Sequence, residues 1–333
     1  MKLRHFLTSA AVAAALVAAG AAHAALATSS SFSGAGVGLS TSGWGSTTQV
    51  GTITADVPFG ATVLAAYLYT STYSWSNSVG GTLAANAVSY TRLGDNGGLE
   101  AGRADVTSIV RPIIDGGVGG IYNFKITEAN GAQDGSALVV IYQDPTNAAI
   151  QSVGILDGFS LSTGDSTAIN FATPLDKTAP GFRAEMRLGI GFSYDGSACS
   201  FTSQTSTVAV NGTTITDRAG CNDDSVDLSP DNGNLITVGG NNDPFSGLMP
   251  ATQNDHERYN LTNYITNGDS SIAIRTRNPS GDDNIFLAAF LVTGEAGFNE
   301  PPVDNDVPEP ETLVLMGLAL AGLGAQRRFA KRM

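Results

Sequence analysis

Two runs decide the fold class: ALVVIY (Ala137–Tyr142) and IFLAAFLV (Ile285–Val292). Both are short, apolar and rich in β-branched or aromatic residues, which suits a strand. Working outward, the same reading gives strands at 61–70, 121–126, 152–155, 186–194, 205–210 and 270–276. Turn residues separate them: Asp95-Asn96-Gly97-Gly98, Asp115 to Gly120, Gly239 to Asp243 and Asn267-Gly268-Asp269. These residues tolerate positive φ or pre-form a turn through a side-chain bond. Asn211-Gly212, between alternating runs, predicts a two-residue hairpin. No amphipathic helix is expected between Ala25 and about Gly297. The 40 glycines of this 333-residue chain are then the turns of many short strands. The class is all-β, a sandwich or jelly roll.

The two runs also belong to a repeat. ADVTSIV (104–110), IYNFKITEAN (121–130) and ALVVIY run in the same order as YNLTNYI (259–265), SIAIRTRN (271–278) and IFLAAFLV. Upstream, VLAAYLYTSTYS (63–74) and NAVSYTRLG (86–94) echo RLGIGFSYDGS (187–197) and NGTTITDR (211–218). The expectation is two similar jelly-roll-like sandwich domains, 25–162 and 163–298, with a linker at 299–307. The other reading is one large sandwich whose halves share only generic strand patterning.

The ends read as addresses. Lys2 and Arg4, the apolar stretch Phe6 to Ala22, and Ala22-His23-Ala24 form a secretory signal over residues 1–24, with cleavage after Ala24 by a signal peptidase. At the other end, Pro308-Glu309-Pro310 precedes the apolar run Thr312 to Ala325 and a basic tail, Arg327, Arg328, Lys331 and Arg332. As a helix the run is ~21 Å long, short for a ~30 Å hydrocarbon core. The segment VPEPETLVLMGLALAGLGAQRRFAKR (307–332) resembles the PEP-CTERM sorting region of exported proteins of Gram-negative bacteria. That resemblance implies recognition by an exosortase at Pro308-Glu309-Pro310. It also implies a short transmembrane sorting helix within 308–333, held transiently in the inner membrane with Arg327 and Arg328 at the cytoplasmic face.

A second resemblance covers residues 100–160. ADVTSIV, GIYNFKI (120–126), GSALVVIYQDP (135–145) and GILDGF (154–159) look like β-rich modules of large bacterial surface and adhesin-like proteins. Those modules imply no catalytic residues. This chain has Ile121 where the pattern usually has Thr, and Ser136 where Trp often sits.

Charge narrows the function classes. The ends take six of the 17 basic residues and two of the 30 acidic ones, so the body holds 11 against 28, a net charge near −17. Such a surface does not neutralise phosphates, so nucleic acid is not an expected partner. Two cysteines cannot build a Cys-only zinc site. In an exported chain, Cys199 and Cys221 are expected to form a disulfide. Asp223, Asp224, Asp227 and Asp231 are candidate calcium ligands, because oxygen donors at short spacing suit that ion. The competing reading is a solvated acidic loop, and no other cofactor is expected. Asp282-Asp283-Asn284 is a smaller acidic group. His256, the one histidine of the body, has no triad around it and reads as a surface or turn residue. Tyr73 and Trp75, two apart, would share a strand face and stack on sugar rings, or else pack in the core. The expected function is non-enzymatic: an exported structural or adhesive protein of the cell surface or extracellular matrix, with exopolysaccharide as a candidate partner. The alternative is a carbohydrate- or calcium-binding module.

Overall fold

The computed structural model describes residues 26–45, 48–73, 75, 79–96, 98–115, 117–191, 206–219, 236–249, 256–279 and 284–300. Its first strands are β1 (Ala27–Ala35), β2 (Val37–Trp44), β3 (Val50–Val57), β4 (Thr62–Thr72), β5 (Gly81–Leu83), β6 (Asn86–Val88), β7 (Thr91–Asn96) and β8 (Leu99–Asp105). Helix α1 (Thr107–Ile114) follows, then β9 (Gly120–Glu128), β10 (Gln133–Gln143) and β11 (Ile150–Asp157). The remaining strands are β12 (Asp165–Phe171), β13 (Ala184–Gly191), β14 (Ser206–Val210), β15 (Thr213–Ala219), β16 (Ile236–Val238), β17 (Arg258–Asn260), β18 (Ser271–Arg277), β19 (Asn284–Thr293) and β20 (Ala296–Phe298). The protein is mostly β, as its turn-punctuated apolar runs require. Among the described residues no helix is long and apolar enough to cross a membrane.

Four antiparallel sheets stack face to face. The order of strands is β3-β9-β5-β6 in the first outer sheet and β2-β10-β4-β8-β7 in the first inner sheet. The second inner sheet runs β1-β11-β19-β13-β16, with β17 also on β13, and the second outer sheet runs β15-β14-β18-β12-β20. Between the layers lie three apolar cores. Side-chain alternation divides each central strand between two of them. Ala137, Val139 and Ile141 of β10 face the middle core, and Leu138 and Val140 face the first core. Leu287, Ala289 and Leu291 of β19 face the middle core, and Ala288, Phe290 and Val292 face the last core. That double burial is why both runs are apolar throughout, a pattern usual for strands covered on both sides.

The repeat is visible in the topology. The path β2-β10-β4-β8 in the first copy matches β11-β19-β13 followed by β17 and β16 end to end in the second. The path β3-β9-β5-β6 matches β12-β18-β14-β15. β11, which precedes residue 162, therefore takes the place in the second copy that β2 takes in the first. The match extends to single residues. Asp105 Oδ1 accepts the Thr107 N–H at 2.9 Å and starts α1. Asn260 Oδ1 accepts the Thr262 N–H at 3.0 Å and starts a single 3-10 turn, Leu261–Tyr264. α1 was not expected from the sequence: it is only eight residues long and Pro112 stands inside it. It follows an Asx turn at Asp105, the signal that was available.

The middle core is bridged by polar groups. Arg103 of the first inner sheet pairs at 2.5 Å with Asp157 of the second, whose carboxylate also accepts the Tyr69 hydroxyl at 2.9 Å. Burial, then the neighbouring Asp157 charge, pushes the Tyr69 hydroxyl well above its usual pKa. At the matching strand positions of the second copy stand Arg187 and Arg258, paired across β13 and β17. Arg187 is buried and donates to Thr41 Oγ1 at 2.9 Å in the opposite sheet. Burial lowers its pKa to about 10. For Glu185 burial works upward, but Arg187 and Arg183 outweigh it and hold the carboxyl below its usual range.

The two matching outer hairpins differ instructively. Asn211 and Gly212 turn β14 into β15 with φ of +49° and +79°, the two-residue turn read from the sequence. Ala84 and Ala85 turn β5 into β6 with φ of +47° and +66°. Left-handed backbone costs an L-residue roughly 1–2 kcal/mol, and Asn-Gly suits this turn far better. Replacing Ala84→Asn together with Ala85→Gly should raise stability by about 1–2 kcal/mol. The check is a higher urea midpoint at unchanged slope; an unchanged or lower midpoint would contradict the turn geometry.

Candidate functional site

The chemistry-bearing groups of the first copy gather at the end of the sandwich where β4 finishes and β9 turns into β10. Tyr73 follows β4, is 53% exposed, and donates its N–H to the Ala132 carbonyl at 3.0 Å. Trp75 lies beyond the strand and is half-buried. Its ring covers Gly102, where an added Cβ would come within 2.6 Å of the indole and 3.1 Å of Tyr90. A side chain at 102 would therefore displace the indole. The Trp75 N–H is held by Glu100, which also pairs with Arg92. Arg92 pairs in addition with Asp95 at 2.8 Å.

Behind these aromatics sit two acids. Glu128 ends β9 opposite Gly81 and is 4% exposed. Asp134 is the extra residue where the β10–β4 register shifts, and is 2% exposed. Glu128 Oε1 accepts from the Ser136 hydroxyl at 3.4 Å, and Tyr90 meets the same serine. Among the described residues, Glu128 Oε2 and Asp134 Oδ2 have no hydrogen-bond partner. Gln133 closes the hairpin: its Oε1 accepts from Gly80 and Ala129, each at 3.2 Å, and its Nε2 donates to Thr70. Burial pushes the Asp134 carboxyl up to about 8. Burial, then repulsion from Asp134, pushes Glu128 up to about 8 as well. The Asp134 charge, then burial, raises Tyr73.

Sequence reading did not find this pair. KITEANGAQDGS (125–136) carries its acids within strand-forming segments, where a carboxylate normally faces water. The structure places Tyr73 and Trp75 around the same end. The other sequence-derived site residues lie outside the described residues: Ala22, Ala24, Cys199, Cys221, Asp223, Asp224, Asp227, Asp231, Pro308, Glu309, Pro310, Arg327 and Arg328, together with Asp282 and Asp283. Asn284 is buried and accepts from Asn278 at 2.9 Å. His256 is half-buried, and its N–H goes to Ser246 Oγ at 2.9 Å. Among the described residues, no group of three or more metal-binding side chains of His, Cys, Asp or Glu type occurs. A second surface lies on the far outer sheet, where Ala168, Ala209 and Ala273 floor a groove of about 590 Å³ beside Arg275.

The family model described as the PEP-CTERM protein-sorting motif matches residues 306–328. The chain is thus similar there to exported proteins sorted by an exosortase, and the motif implies processing by that enzyme and an envelope-associated location. No curated protein matches the chain. Among solved structures it is similar to BuGH86wt in complex with neoagarooctaose, at 10% identity and a TM-score of 0.24, covering 80% of this chain and 34% of that one. It is also similar to BpGH86A, a β-porphyranase of glycoside hydrolase family 86 from the human gut bacterium Bacteroides plebeius, at 12% identity and a TM-score of 0.24, covering 75% and 35%. The chain spans about a third of the length of either structure, and such scores establish no common fold.

The acid pair sets a pH dependence. Both carboxyls hold protons more tightly folded than unfolded, where carboxyl pKa values are about 4. Their contribution to stability is therefore full below pH ~4 and is lost as pH rises toward about 8. In chelator-treated protein, Asp134→Asn should flatten that loss and raise stability at pH 8 by at least about 1 kcal/mol. Thermal melts from pH 4 to 9 check it; a variant that stays below wild type at pH 8 would contradict the burial of this acid.

Proposed function

We propose that the protein is a non-enzymatic structural or adhesive component of the cell surface or extracellular matrix. Export through a signal peptidase and transient inner-membrane anchoring by the C-terminal helix would precede exosortase processing. The observation that carries the reading is the four-layer β stack joined to a sorting motif. Three cores in one stack make a rigid body, and its loops and outer sheets are left for contacts. An acidic body can be bridged by divalent cations to acidic polymers, which suits a matrix rich in exopolysaccharide. The groove beside Arg275 offers a cationic contact in an otherwise acidic chain.

A carbohydrate-binding module is the second reading, favoured by Tyr73, Trp75 and Tyr90 gathering at one end. Deleting the gene should weaken biofilm or floc cohesion, with complementation restoring it, and the processed protein should be retained on native exopolysaccharide. Unchanged cohesion together with no retention would contradict the matrix role. Retention lost on Trp75→Ala, with cohesion unaffected by deletion, would favour the second reading.

A further inference from the structure

We propose that Glu128 and Asp134 form a divalent-cation site, with calcium as its ion, at the closed end of the first sandwich. The inference does not rest on the adhesive role. Two carboxylates buried to this degree cannot both stay ionised without positive charge beside them. Among the described residues no arginine or lysine pairs with either acid: Arg92 is committed to Asp95 and Glu100, and Arg103 to Asp157. Among those residues each acid also keeps one oxygen without a partner. Among the described residues the neutral groups beside them are Ser136, whose hydroxyl donates to Glu128, and the hydroxyls of Tyr73 and Tyr90.

The second copy shows that the fold itself does not require acids here. Register places Thr276 where the first copy has Glu128. The same one-residue bulge recurs in β19, where Phe286 stands in the place of Asp134. Phe286 is fully buried and packs 6.0 Å from the Tyr69 ring. One copy thus fills the bulge with an apolar ring, and the other with a carboxylate beside a second carboxylate. The charged version costs stability unless a ligand compensates it. Oxygen donors without histidine or cysteine suit a hard cation, and calcium tolerates an irregular shell completed by water. Carboxylates bind a cation in their ionised form, so binding does not weaken as pH rises.

The test is calcium calorimetry on the full-length protein at pH 6 and pH 8, with Tb³⁺ luminescence sensitised by the neighbouring tyrosines. Affinity should be no weaker at pH 8 than at pH 6. The double variant Glu128→Gln with Asp134→Asn should fold, gain thermal stability in chelator, and lose both the heat and the sensitised emission. The variant Asp223→Asn/Asp224→Asn/Asp227→Asn/Asp231→Asn should keep both signals. Binding that survives the Glu128→Gln/Asp134→Asn change, that disappears only in the 223–231 variant, or that is absent from wild type at pH 8 would overturn the proposal.

Discussion

The structure depends on one constraint: its two inner sheets are covered on both faces. A strand in such a sheet has no solvent side on which to place polar residues, so β10 and β19 carry apolar side chains toward two cores at once. A polar group buried there gains from a partner inside, because an unpaired one costs roughly 1–3 kcal/mol. Tyr69, Arg103 and Asp157 meet this demand as one cluster, and Arg187, Thr41 and Glu185 as another. Both clusters cross or brace the middle core, so they also fix how one copy sits on the other.

The same constraint explains what was legible in the sequence. ALVVIY and IFLAAFLV stood out because double burial makes them continuous, and six further strands were found by their β-branched and aromatic content. β1 and β2, ATSSSFSGA and VGLSTSGW, were missed because their Ser and Gly content reads as loop. In β2 those polar residues are buried: Ser40 and Thr41 are each 1% exposed. Ser40 Oγ accepts the Asp56 N–H at 2.9 Å from the outer sheet. Packing, not propensity, makes this segment a strand. Asn211-Gly212 announced its hairpin, whereas Ala84-Ala85 adopts the same turn against its own preference and so gave no sign of it. The Glu128–Asp134 pair was illegible for a different reason. A sequence does not show whether an acid in a strand points inward, and only the register of β9 and the bulge in β10 bring the two together.

The two copies differ at their matching bulges. The second copy fills its matching bulge with Phe286 and contributes to the middle core, while the first copy keeps a buried acidic pair flanked by aromatics. The sorting motif implies that this body is displayed at the cell envelope.

The two copies share the middle core, and that packing should make them unfold as one body. Both tryptophans, Trp44 and Trp75, lie in the first copy. Phe290 is fully buried in the last core, within the second copy. Equilibrium unfolding of Phe290→Ala, followed by tryptophan fluorescence and by far-UV circular dichroism, tests the claim directly. Both probes should move together to a lower denaturant midpoint, by about 3–5 kcal/mol in stability. A fluorescence midpoint left at its wild-type value while the dichroism transition moves would contradict it.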